Sequence, residues 1–203
     1  MIHSHSRRTF SKHALQYGCC LTSEKMHAVI AGDLSGTVVH RAFVHVAQVF
    51  GSLLWQHDHR TVFMLATPLE EEHLRCLLTS LQDIDPVTEI HVRYILACYY
   101  LLKNQAKEGD DQLVLAADIV RTHHLNFPTS SMEGQAPTDE QRDLVNTLAH
   151  LIYLDRCSAF VFPTMIVRLS PDFDASFQNT AVSCSVRHSN SFTAGSHLSV
   201  RGC

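Results

Sequence analysis

No apolar run in the 203-residue chain approaches the roughly 18 to 20 residues that a helix needs to cross a membrane. No signal-peptide core follows the first basic residues either, so the chain reads as neither membrane-embedded nor secreted. Zinc patterns are equally scarce. Despite fifteen histidines there is no Cys-x-x-Cys pair and no His-Glu-x-x-His helix. His3-x-His5 and His57-Asp58-His59 each set two imidazoles close together, but no third ligand follows at a useful spacing, which favours surface or helix-end histidines. Phosphate loops of the Gly-x-x-x-x-Gly-Lys-Ser/Thr and Gly-x-Gly-x-x-Gly kinds are missing, and Gly32-Asp33-Leu34-Ser35-Gly36 reads as a turn. A Gly-x-Ser-x-Gly nucleophile elbow is missing as well. The sequence therefore nominates no catalytic residue, no cofactor and no metal site.

Positive charge is also thin. A formal net charge of −4 excludes a polyanion-binding surface spread over the whole molecule, because phosphate contacts need clustered Lys and Arg. What remains is a local basic arm, Arg7, Arg8, Lys12 and Lys25, with no acid before Glu24. It reads as a solvated terminus; a transit peptide is the alternative, against which stands its poor helical amphipathicity. What the chain has in quantity is apolar surface: 45% of its residues are hydrophobic, too many for disorder throughout. The length suits one domain with flanking arms, since single domains cluster near roughly 100 to 150 residues. The cysteines, Cys19, Cys20, Cys76, Cys98, Cys157, Cys184 and Cys203, are odd in number and scattered, a pattern of reduced thiols in an intracellular compartment. Cys76, Cys98 and Cys157 sit in apolar helical stretches, where a thiol acts as a small core residue.

Apolar spacing divides the chain. Residues 1–37 have little periodicity and read as a weakly ordered N-terminal arm. From Val38 through Phe43, Val46, Val49, Phe50 and Leu53, apolar side chains share one helical face that ends near His57. Thr67-Pro68-Leu69-Glu70 is a helix start: Thr67 caps the free amides, Pro68 lacks a donor that would have had no partner, and Glu70 completes a capping box. Leu74, Leu77, Leu78 and Leu81 continue it as a stripe. Asp85-Pro86 repeats the same logic and opens a largely buried helix through Ile90, Tyr94, Leu96 and Tyr100. Gly109-Asp110-Asp111 is expected to end that helix and open another, with Leu113, Ala116, Ala117 and Val120 inward and Arg121, His123 and His124 near the end that favours cations. After a polar loop over residues 126–137, Thr138-Asp139-Glu140-Gln141 offers a second capping box for a helix through Leu144, Leu148, Leu151 and Ile152 to Phe162-Pro163. Strand-like alternation is limited to short pieces such as residues 61–65. Residues 38–169 thus predict an all-α domain, an antiparallel helical array. Residues 170–203 turn to serine, asparagine, threonine and histidine and read as a disordered, Ser-rich tail.

Asp155-Arg156 lies late in the last apolar helix, where an unpaired buried charge would be costly. Position alone leaves two readings open, a solvent-facing pair or a structural ion pair. The stretch Glu140-Gln141-Arg142, then Leu151-Ile152-Tyr153-Leu154-Asp155-Arg156-Cys157-Ser158 and Pro163, resembles the signature helix in the middle homology region of fungal zinc-cluster transcription factors. The segments 89–102 and 113–125 resemble that family's alanine- and leucine-rich helices, so the likeness spans roughly residues 38–169. There are departures. Ala149 stands where tryptophan is common, Pro163 lacks a preceding Gly-Arg, His124 replaces a glycine, and the six-cysteine zinc cluster that binds DNA is absent.

The resemblance implies an isolated regulatory module, nuclear with the cytoplasm as the alternative. Its partners would be proteins of the transcription machinery or a related regulator, with no direct DNA contact, and self-association into a homo-oligomer stays open. The genes controlled would belong to a secondary-metabolite pathway. Arg142, Tyr153, Asp155 and Arg156 become its structural or interaction residues. A function of another class, a small helical enzyme or ligand-binding protein of a biosynthetic pathway, would require Tyr94, Tyr99, His150 and Asp155 to converge on one concave pocket. A degenerate product without retained activity is the third reading.

Overall fold

A computed structural model describes residues 2–19, 21–61, 66–127, 138–162 and 164–169, and every regular element within them is helical. The order is α1 (Ile2–His13), a single 3-10 turn (Ala14–Tyr17), α2 (Ser23–Ala31), α3 (Arg41–Asp58), α4 (Pro68–Ser80), α5 (Pro86–Leu102), α6 (Ala106–Thr122) and α7 (Asp139–Val161). The predicted all-α helical array is therefore present. Residues 62–65, most of the 126–137 loop, Pro163 and the whole Ser-rich tail from residue 170 lie outside the described residues.

Local chemistry explains where most helices begin. Thr67 accepts from the Glu70 amide at 3.3 Å, and the Glu70 carboxylate accepts from the Thr67 amide at 2.8 Å, closing the expected box at the start of α4. Thr138 and Gln141 repeat it on α7 at 3.2 and 3.0 Å. Asp85 caps α5 through the Thr88 amide at 2.9 Å. At the end of α6, His124 takes a left-handed conformation (φ 49°), the position that usually favours glycine, and the Leu125 amide closes back on the Val120 carbonyl at 3.0 Å.

The described part of the N-terminal arm forms α1 and α2. Phe10 is completely buried and meets the Phe43 and Phe50 rings edge-on, with centroids 6.2 and 6.5 Å away. The approach is close because position 51 has no side chain; a Cβ there would lie 2.1 Å from the Ser6 carbonyl oxygen. Gly109, for its part, does not break a helix. The break falls at Lys103 and Asn104, the latter left-handed at φ 59°, and Gly109 sits buried inside α6. A Cβ on it would stand 2.8 Å from Leu101, so the missing side chain serves close packing of α6 on α5.

α3 and α5 are the central elements. α3 packs on α1, α2, α4 and α5, and α5 also packs on α6 and α7. One apolar cluster centres on Phe10, Phe43, Phe50, Leu77, Ile95 and Tyr99. A second gathers Ile90, Leu113, Leu148, Leu151, Met165 and Leu169. α5 supplies both, which is why it is buried on nearly every side.

Candidate functional site

The charged pair late in α7 is the first place to look for chemistry. Asp155 is 1% exposed, and both of its oxygens accept the Arg168 backbone amide, at 3.2 and 3.0 Å. Oδ2 also accepts from the Leu169 amide at 3.1 Å and from Arg156 Nη1 at 3.4 Å, while Arg168 Nη1 reaches Oδ1 at 3.3 Å. Arg156 is half-buried and donates through Nη2 to the Leu169 carbonyl at 2.8 Å. Arg168 reaches on to Asp110 of α6 through its other terminal nitrogen, and burial lowers its pKa. The segment 164–169 is thereby held along α7, and Met165 and Leu169 enter the second apolar cluster. With this many donors the carboxylate has no free lone pair aimed at a cavity. Its arrangement suits structure rather than proton transfer.

Arg142 and Tyr153, the other two residues singled out by sequence, do not join Asp155 and Arg156. Arg142 is exposed in the first turns of α7 and pairs with Asp139 at 3.3 Å. Tyr153 is 66% exposed and stands on the rim of a groove.

That groove, about 1060 Å³, runs between α5, α7 and the 3-10 turn. Tyr94 and His150 both line it, with ring centroids 6.1 Å apart. Cys98 lies at its buried side, and burial pushes that thiol up to about 12, so it stays protonated and is no nucleophile at neutral pH. Burial also raises the Tyr94 phenol well above its ordinary range. Tyr99 and Asp155 are elsewhere. Of the four groups that an enzyme reading needs in one pocket, the groove collects two, Tyr94 and His150.

Sequence reasoning missed the most enclosed ionic group. Glu70 and Lys103 have fully buried side chains, 2.8 Å apart. Glu70 Oε1 accepts from Gln56 Nε2 at 2.7 Å, and Oε2 accepts from Lys103, from the Tyr99 hydroxyl at 3.2 Å and from the Thr67 amide. Lys103 also stands 5.2 Å over the Tyr99 ring. The cap pattern had marked Glu70, and a lysine closing the apolar run of α5 was the only sign of its partner. This network joins the end of α5 to the starts of α4 and the end of α3; it too is satisfied internally.

Among the described residues no group of three or more His, Cys, Asp or Glu side chains is placed to hold an ion. His45 and His73 meet Nδ1 to Nδ1 at 3.0 Å across α3 and α4. His59 stacks on Trp55 with centroids 4.2 Å apart.

The basic arm is partly engaged within the fold. Arg7 donates to the Ile30 and Ala31 carbonyls at the end of α2 and to Gln48 of α3, and Lys25 pairs with Asp143 of α7 at 2.7 Å. No helix among the described residues is long and apolar enough to cross a membrane.

The chain matches no family model, and no curated protein and no solved structure is significantly similar to it.

Proposed function

We propose that this chain is a helical regulatory module of the kind found in the middle region of fungal zinc-cluster transcription factors, acting through protein contacts in the nucleus or, alternatively, the cytoplasm. The observation that carries the reading is the internal use of the Leu154-Asp155-Arg156 motif: it anchors the segment that follows α7 instead of facing a substrate. The partners would be proteins of the transcription machinery or a related regulator, and the genes those of a secondary-metabolite pathway. Support for protein contacts comes from the groove rim, where Leu102, Tyr153 and Val161 are all exposed. Support for the absence of direct DNA contact comes from Arg7 and Lys25, whose charges already have partners inside the fold.

A ligand-binding protein is the second reading, favoured by the meeting of Tyr94 and His150 in one groove. One experiment separates the two. The chain is fused to an unrelated DNA-binding domain and read with a reporter gene in a fungal host. The regulatory reading expects a change in transcription that is lost in Tyr153→Ser/Val161→Ser, with no binding of the unfused chain to promoter DNA at physiological salt. A reporter indifferent to the fusion, or tight promoter binding by the unfused chain, contradicts it.

A further inference from the structure

We propose that the cavity between α2, the start of α3, the start of α5 and α7 binds a small primary alkylammonium ion. Its volume, about 330 Å³, lies at the lower end of the range for small-molecule sites. The floor is apolar: Val39 and Phe43 line it and are both buried, and they offer cover for an alkyl chain.

The rim is acidic. Asp83, in the turn between α4 and α5, and Asp85, at the start of α5, are exposed there. Asp85 Oδ1 accepts from the Thr88 amide at 2.9 Å, which leaves its second oxygen for a ligand. Lys25 on the wall is met by Asp143 at 2.7 Å, so its charge does not offset the two rim carboxylates.

Acidic residues at a surface are ordinarily just solvated, and it is the interior of the cavity that points to a ligand. His91 lines it, and the Nε2 of that ring is enclosed with no hydrogen-bond partner. A buried ring nitrogen left unsatisfied is costly, so a group able to bond to it gains more here than in water. The His91 ring meets Phe43 edge-on with centroids 5.1 Å apart, which sets this nitrogen beside the apolar floor. Burial, with the charges of His150 and Lys25, lowers the His91 pKa to about 4; at neutral pH the ring is uncharged and has a lone pair to offer. A primary ammonium answers all three features. Its N–H groups can reach the ring nitrogen and the carboxylates together, its charge opposes that of the rim, and its chain covers Phe43. A carboxylate ligand would instead face Asp83, Asp85 and Asp143, and an alcohol would leave the rim charge unmet. This cavity is separate from the groove between α5 and α7, so the inference stands apart from the regulatory reading.

The test observes the ring nitrogens of isotope-labelled histidine in the full chain by NMR. At matched ionic strength, n-butylammonium should shift the His91 signals saturably, with a Kd of about 1 mM or tighter, and butyrate and n-butanol should bind at least about tenfold more weakly. Asp83→Asn/Asp85→Asn removes the rim charge, while asparagine keeps the helix cap and tolerates the left-handed turn at residue 83. Butylammonium should bind this variant at least about tenfold more weakly. His91→Phe keeps an aromatic ring but removes the acceptor, and calorimetry should show a similar weakening; this variant serves should the first lose stability. No saturable shift below about 10 mM, equal binding of butyrate or butanol, or an affinity indifferent to either variant would each overturn the proposal.

Discussion

The Asp155 carboxylate takes the Arg168 backbone amide on both of its oxygens, thirteen residues along the chain, at 3.2 and 3.0 Å. With the Leu169 amide on the same carboxylate, the link fastens a segment without secondary structure to the longest helix. Asp155→Ala should remove the acceptor for two backbone donors and leave Arg168 without its near partner. The expected loss is about 3 kcal/mol, beyond the roughly 0 to 1 kcal/mol of a surface pair. Arg156→Lys should lose less, about 1 kcal/mol, because one ammonium can keep the Leu169 carbonyl but cannot also hold Asp155 in the same geometry. Thermal melts of the two variants against the parent measure both. Two near-neutral results would mean that the anchor does not contribute to stability.

Lys103→Met should be more damaging. It leaves the Glu70 carboxylate fully enclosed without its cation, an effect on the order of 3 to 5 kcal/mol. Adding Glu70→Gln should recover much of the loss, since a neutral amide can still accept from Gln56 or Tyr99. Urea unfolding of the single and double variants checks this. A double variant no more stable than Lys103→Met would show that the pair is not coupled as the geometry indicates.

His91 should make the fold acid-sensitive. The residue is half-buried, but its Nε2 is enclosed without a hydrogen-bond partner, and burial first, then the charges of His150 and Lys25, lower its pKa from 6.5 to about 4. The unfolded chain gains a proton near pH 6.5 and the folded chain only near pH 4. Stability is therefore complete above about 6.5 and falls as pH drops through that window, by at most about 3 kcal/mol from this residue. Melting temperatures of the parent and His91→Phe between pH 7.5 and 4 give the comparison. The parent should lose more on acidification; equal slopes would remove His91 as the cause.

The helix starts were legible because caps are short-range chemistry. Thr67 with Glu70, Asp85 with Pro86, and Thr138 with Gln141 announce α4, α5 and α7 from neighbouring residues alone. α1 was not legible. Its one large buried anchor is Phe10, and apart from Ile2 the rest of Ile2–His13 is polar, so its order comes from contact with α3 at Gly51 rather than from its own periodicity. Gly109 misled for a related reason, since a glycine that ends a helix and one that admits a neighbouring helix look alike in sequence. At the candidate site, Asp155 and Arg156 stood out as charges in an apolar helix. Their partners, Arg168 and the Leu169 backbone, lie beyond the helix in a stretch with no pattern to read. Glu70 and Lys103 are separated by most of α4 and all of α5, and only tertiary packing brings them together.

The central claim, that the Asp155 carboxylate exists to hold the segment after α7, is tested most directly by amide hydrogen exchange at residues 168 and 169. The parent should protect both amides, since each donates to a carboxylate that is 1% exposed. Asp155→Asn leaves one oxygen as acceptor and introduces an amide where two donors now converge. Exchange at 168 and 169 should then quicken by about tenfold or more, the equivalent of about 1.4 kcal/mol, while amides in the middle of α3 remain protected. Unchanged protection at 168 and 169 in the variant would contradict the account.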